Sequence, residues 1–204
     1  MLKRLFDIIF SFFWLLILAP FLFLIALAIK INSRGPIFYQ GIRSGQFGKP
    51  FKIFKFRTMI KNAEELGGPS TALNDPRLTR VGRFLRKYKL DELPQLINIL
   101  KGEMSFVGPR PQVEEYTKRY QGEEKFIISV KPGLTDYASI EFIHLDKILG
   151  DKEVDEKYRQ EIEPRKNYLR LKYAKEHSFL VDLKILFLTF IKLFQINKLW
   201  KEKD

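Results

Sequence analysis

Cysteine is absent from the 204-residue chain, which excludes disulfides, thiolate nucleophiles, Cys-bearing zinc sites and iron–sulfur clusters. Histidine is nearly absent. His144 and His177 stand 33 residues apart, which rules out an HExxH zinc site and leaves little material for a His-based triad. Acid, base or metal chemistry must therefore rest mainly on carboxylates. Negative charge is also short: 36 Lys and Arg against 24 Asp and Glu give +12, a surplus whose usual partners are nucleic acid, anionic lipid or phosphorylated small molecules. The surplus is local. Residues 31–110 carry 15 basic and 6 acidic side chains, whereas residues 111–204 carry 18 and 17. No internal repeat or low-complexity stretch is visible. At 46% hydrophobic content the length matches one domain, or one domain with an appendage, around a real core.

One segment has no charge at all. The run from Ile8 to Ile29 is almost wholly apolar over 22 residues, enough at about 1.5 Å per residue to cross a hydrocarbon core of about 30 Å. Lys3 and Arg4 precede it and Lys30 and Arg34 follow it. Basic flanks at both ends satisfy the cytoplasmic preference only if neither end crosses. Pro20, with Ala19 before it, removes a helical hydrogen bond near the middle and marks a bend point. The residues leave two alternatives open, a re-entrant helix–break–helix and a kinked spanning helix. A cleaved signal peptide fits less well, because Asp7 intrudes on the basic start and no small-x-small site closes the run. The expected division is an anchor over 1–30 and a domain over 31–204.

Beyond the Ser33-Arg34-Gly35-Pro36 breaker cluster, Ile37 to Gln40 and Phe51 to Met59 read as the arms of a β-hairpin around a turn containing Gly45 and Gly48. Residues 61–76 read as a loop. From Thr79 the period becomes helical, with Val81, Phe84, Leu85 and Tyr88 on one side and Arg80, Arg83, Arg86 and Lys87 on the rest. Asp91 is expected to open and cap a second helix ending at Gly102. The remainder reads as mainly helical, broken at Lys131-Pro132-Gly133 and Pro164. Its last part, Phe179 to Trp200, is a helix expected to pack on the domain or lie at the bilayer surface. The fold class is α+β, mainly helical.

Asp91-Glu92 is the pair with the most chemistry in it. A helix start favours the anion, so Asp91 is expected to be ionised, a metal ligand or nucleophile, while the cost of two adjacent charges lets Glu92 move protons. Arg110, held between Pro109 and Pro111, has the stiff backbone that bidentate phosphate recognition favours. Lys55 and Arg57 on the strand, with Arg80, Arg83 and Arg86 on the helix, could surround the same phosphate. A membrane-tethered basic adapter for anionic lipid or nucleic acid needs only the charge and the anchor.

The runs Lys52-Ile53-Phe54-Lys55-Phe56-Arg57-Thr58-Met59, Leu90-Asp91-Glu92-Leu93-Pro94-Gln95-Leu96-Ile97-Asn98 and Gly102-Glu103-Met104-Ser105-Phe106-Val107-Gly108-Pro109-Arg110-Pro111 together resemble the bacterial sugar transferase family, the monotopic polyprenyl-phosphate phosphoglycosyl transferases. The likeness extends from the Lys-Arg-x-x-Asp start to Lys131-Pro132-Gly133-Leu134-Thr135. It implies magnesium-dependent transfer of a sugar phosphate from a UDP-sugar to a polyprenyl phosphate, with release of UMP. It further implies that Asp91 is the nucleophile that forms a covalent phosphosugar intermediate and touches magnesium, that Glu92 assists it, and that Arg110, Lys55 and Arg86 bind substrate phosphate. The segment around Ala19 and Pro20 would be re-entrant, embedded in phospholipid at the cytoplasmic face of a bacterial inner membrane, with amphipathic interfacial helices around the basic site. Nucleic acid is not an expected partner, and a homodimer is left open. Two departures stand out: Ala19 replaces the serine common before the proline, and Thr135-Asp136-Tyr137-Ala138-Ser139 replaces a common Thr-Gly-x-x-Gln, so no sugar contact is assigned there.

Overall fold

The structure is a computed structural model and describes residues 1–66, 75–143, 145, 148 and 154–201. Half of the expected 61–76 loop, residues 67–74, and His144 lie outside the described residues. Helix α1 (Leu2–Asn32) comes first. A ribbon follows, made of β1 (Phe38–Tyr39), β2 (Ile42–Ser44), β3 (Pro50–Lys52) and β4 (Lys55–Phe56). Next are α2 (Arg80–Lys87), a 3₁₀ turn at Leu90–Glu92, α3 (Gln95–Lys101), β5 (Ser105–Val107) and α4 (Glu114–Thr117). A 3₁₀ stretch over Gly122–Ser129, β6 (Gly133–Thr135) and α5 (Tyr137–Glu141) lead to the C-terminal helices. These are α6 (Val154–Lys157), a π-helical turn at Tyr158–Ile162, α7 (Glu163–Glu176) and α8 (Phe179–Lys201).

The apolar run does not break. Helical structure continues from Leu2 to Asn32 with Pro20 inside it, so the expected interruption at Ala19 and Pro20 is corrected to one helix. A proline costs the i−4 hydrogen bond and permits a bend without ending the helix when the turns on either side hold. Side chains 7, 11, 15, 18, 22, 25 and 29 form a buried or half-buried stripe with spacings of four or three, and the rest of the helix is largely exposed and apolar. Leu15 and Leu18 pack on Phe51, Ile53, Leu96, Ile99 and Met104. Leu22, Ile25 and Ile29 pack with Phe56 and Leu85. The helix therefore rests on the domain along its whole length, about 46 Å at the usual rise.

Both ends of α1 are fastened to that same domain. Arg4 donates to the Ile99 and Leu100 carbonyls at 2.6 and 2.8 Å, placing a cation on the orphan carbonyls of the α3 C-terminus. Asp7 Oδ1 accepts from Ser105 Oγ and the Phe106 N–H, each at 3.1 Å. Lys3 donates to the Val107 carbonyl at 3.0 Å and pairs with Asp182, which also accepts from the Tyr173 hydroxyl at 2.7 Å. At the other end, Arg57 donates to the Ser33 and Arg34 carbonyls at 2.7 and 3.0 Å.

The hairpin is present with a longer first arm than expected and a second arm that ends at Phe56 rather than Met59. β1 pairs antiparallel with β4 and β2 with β3, so the first arm runs past Gln40 to Ser44 and the turn lies between Ser44 and Pro50. Asn98 is fully buried and locks the ribbon to α3: its amide donates to the Lys52 carbonyl at 2.8 Å, and its oxygen accepts from the Phe54 N–H at 2.9 Å. The 111–204 stretch also contains a strand. β6 pairs parallel with β5 because Gly108 and Gly133 meet backbone to backbone; a Cβ on Gly133 would lie 2.0 Å from the Gly108 nitrogen. That contact needs glycine at both positions.

Candidate active site

Four elements aim side chains at one place. The ribbon carries Lys55 on β4. Helix α2 approaches the strand because Gly82 has no side chain, where a Cβ would fall 1.8 Å from the Thr58 carbonyl. With α2 so close, Arg86 Nε donates to Thr58 Oγ1 at 3.0 Å and its guanidinium faces inward. Lys89 then takes a left-handed conformation, φ +57°, which reverses the chain into the Leu90–Glu92 turn. Non-glycine residues in that region are costly and concentrate at functional sites. Arg110 arrives on the loop after β5, and its backbone N–H reaches Asp136 Oδ2 at 3.3 Å.

Glu92 is the structural hub. Lys55 Nζ donates to its Oε1 at 3.0 Å, Arg110 Nη1 donates to its Oε2 at 2.9 Å, and Arg110 Nη2 also contacts Oε1. Burial alone would raise its pKa, but the Arg110 guanidinium and the Lys55 ammonium hold it well below the usual carboxylate range. Glu92 in turn raises the pKa of Arg110. Asp91 is its opposite. Its side chain is buried, with 6% exposure, and has no hydrogen bond or ion pair among the described residues. Desolvation first, then the neighbouring Glu92 charge, raise its pKa against the pull of Lys55, Arg86 and Lys89. Burial likewise lowers Lys55 and Arg86, which the same carboxylates support.

This geometry corrects two sequence expectations. Asp91 does not cap a helix: α3 starts at Gln95 behind Pro94, and the pair sits in the preceding 3₁₀ turn. The expected order of ionisation is also overturned: Arg110 and Lys55 hold the doubly bridged Glu92 ionised, whereas burial and the Glu92 charge raise Asp91, the carboxyl with free oxygens. Of the five cations expected around the phosphate, Lys55 and Arg86 converge. Arg57 instead holds the end of α1, Arg83 is exposed, and neither Arg80 nor Arg83 is paired with the carboxylates.

The structure adds residues that sequence reasoning missed. Asp75 and Arg77 form a buried bidentate pair, Nε and Nη2 at 2.9 and 2.6 Å, within electrostatic reach of Arg86. Their i, i+2 spacing is the one sequence cue. Asp136 is fully buried, caps α5 by accepting from the Ser139 N–H and hydroxyl at 2.6 Å each, and braces the Arg110 backbone. The variant Thr135–Ser139 stretch is thus the support of the arginine loop. Among the described residues, no three His, Asp or Glu side chains converge as a metal cage. Asp91 is the site carboxylate with unused oxygens, which suits a magnesium ion held by one carboxylate plus substrate phosphates.

A buried turn carrying one bridged and one open carboxylate, ringed by lysine and arginine beside a long apolar helix, suits phosphate chemistry next to a membrane. Comparisons with known proteins point the same way. The chain is 41% identical to the UDP-glucose:undecaprenyl-phosphate glucose-1-phosphate transferase of Escherichia coli, over 97% of this chain and 41% of that protein. It is 38% identical to the undecaprenyl-phosphate galactose phosphotransferase of Salmonella typhimurium, over 92% of this chain and 39% of that protein. A sugar transferase of Bacillus subtilis without a characterised activity is 36% identical, over 92% of this chain and 85% of that protein. The chain therefore spans about two fifths of the length of the two enterobacterial relatives. The profile described as bacterial sugar transferase matches residues 1–196, which include α1, the ribbon, both carboxylates and the arginine loop, and the chain belongs to that family.

Proposed function

We propose that this chain transfers a sugar phosphate from a UDP-sugar to a polyprenyl phosphate, undecaprenyl phosphate being the acceptor named for its relatives, and releases UMP through a covalent aspartyl phosphosugar intermediate. The observation that carries this reading is Asp91, a buried carboxyl with no partner in the middle of Lys55, Arg86 and Arg110. Neither Asp91 oxygen is a fully buried atom lacking a partner, so both meet solvent and are open to an incoming group, and a nucleophile needs that freedom. An Asp91 oxygen attacks the sugar-side phosphorus, the bond to the bridging oxygen breaks, and its electron pair leaves on the UMP phosphate. The polyprenyl phosphate oxygen then displaces Asp91 from the same phosphorus.

Glu92 orients Arg110 and Lys55, whose charges offset the repulsion between Asp91 and the approaching diphosphate. Arg86 approaches the same two carboxylates from α2. Magnesium, held by Asp91 and the phosphates, would supply further charge neutralisation. The attachment of both ends of α1 to one domain supports a monotopic placement, with the 1–30 anchor dipping into one leaflet and the 31–204 domain on the cytoplasmic side. Exposed Leu180, Phe187 and Phe190 on α8 extend the lipid-facing apolar surface.

The test is product identity. Purified protein with UDP-glucose, undecaprenyl phosphate and magnesium should release UMP, and Asp91→Asn should abolish that release. UDP as the product would overturn the phosphosugar step.

A further inference from the structure

Two more buried cations lie within electrostatic reach of Asp136, which braces Arg110. Lys166 and Arg170, one turn apart on α7, are 7% and 1% exposed. Lys166 makes no hydrogen bond or ion pair among the described residues. Its ammonium is flanked by the rings of Tyr158 at 5.1 Å and Phe142 at 5.5 Å. Arg170 Nε has no hydrogen-bond partner, although Nη1 donates to Asn167 Oδ1 at 3.0 Å. Lys166 is within electrostatic reach of Arg110, Lys89 and Asp136. Asp136 offers little compensation, since both its oxygens are engaged by Ser139 and Arg110.

Drawing an ammonium largely out of water without an anion is costly, and burial together with Arg170 and Arg110 brings Lys166 down to about 7, while Nζ is not a fully buried atom and still meets solvent. A purely structural position would be filled better by an apolar side chain of the same length. The arrangement fits a site completed by an incoming anion.

Resting on the transferase reading above, we propose that Lys166, braced by Arg170, binds the phosphate of the departing nucleotide, across Arg110 from the sugar-side phosphate held near Asp91. When the bond between the sugar-side phosphorus and the bridging oxygen breaks, that oxygen gains negative charge on the UMP phosphate, which Lys166 and Arg110 would share. The acceptor phosphate has the same chemistry but arrives on a membrane lipid. Lys166 lies about 10 Å along α7 from Tyr173, where α7 meets the foot of α1, so the soluble nucleotide is the better match.

Isothermal titration of the full chain in detergent with UMP and with uridine tests this, alongside turnover. Lys166→Met should weaken UMP binding at least tenfold, leave uridine binding and the KM for polyprenyl phosphate unchanged, and lower kcat/KM for the UDP-sugar. Lys166→Arg should retain most of the UMP affinity. Unchanged UMP affinity in folded Lys166→Met overturns the proposal, as does equal loss of UMP and uridine, or a raised KM for polyprenyl phosphate alone. Lys166→Gln replaces Lys166→Met if the latter does not fold, and failure of both to fold makes the lysine structural and also overturns it. If wild-type protein neither binds UMP nor releases it, the transferase reading itself fails.

Discussion

Asp7, Asp182 and Asp91 are buried to almost the same degree, at 2%, 5% and 6% exposure, yet the first two differ from the third in every partner. At the foot of α1, Asp7 accepts two hydrogen bonds and Asp182 holds Lys3 and Tyr173. That seam uses charge to fix where the anchor meets β5, three residues before Arg110. Asp91 is as deeply placed and fastened to nothing described. A satisfied buried acid rigidifies a fold, whereas an open one among cations is held ready for a ligand.

The sharpest way to break this contrast is Asp91→Asn. It should reduce UMP release by at least ~10³-fold, while the thermal midpoint in detergent stays equal or rises because an uncompensated carboxyl is removed. Retained turnover would end the nucleophile assignment. Glu92→Gln should lower kcat/KM by about 10²-fold and also cost on the order of 2–4 kcal/mol of stability, since Lys55 and Arg110 lose their common anion. Thermal unfolding and turnover, measured on the same sample, separate it from Asp91.

Asp182→Asn is the converse. It should cost about 1–3 kcal/mol by leaving Lys3 without its anion, with turnover per folded molecule within about threefold of wild type. A larger loss of turnover with unchanged stability would place the seam in the catalytic machinery. The last contrast concerns pH. Lys166 is depressed to about 7 in the folded state from an ordinary value near 10.5. Between those values the unfolded chain binds the extra proton, so this group makes stability rise with pH across that window and contributes no slope below it. Subtracting the Lys166→Met profile from wild type over pH 6–10 should reveal that rise, and parallel profiles would refute it.

Much of the site was legible in sequence because its parts are local. Asp91 and Glu92 are adjacent, Arg110 is fixed by flanking prolines, and Lys55 lies in an alternating strand. The ribbon was readable from Gly45 and Gly48. What misled was also local: Asp91 before an apolar periodic run has the pattern of a cap, but Pro94 moved the helix start onward. Lys166 and Arg170 gave no signal, because α7 is charged on most faces and burial depends on what packs over it. Arg57 likewise could not be separated from Lys55 by spacing, since its direction is set by the carbonyls that end α1.

The sequence by itself determined the chemistry available: carboxylates without thiols, almost no histidine, cations concentrated in 31–110, and an uncharged apolar helix. These follow from composition and short-range pattern, which need no knowledge of distant partners. Tertiary structure alone decided which of two neighbouring carboxylates is tied and which is open, that both ends of α1 meet one domain, and that α7 supplies buried cations within electrostatic reach of Asp136, which braces Arg110. Each depends on hydrogen bonds and desolvation between residues far apart in the chain, and those terms exist only once the elements pack.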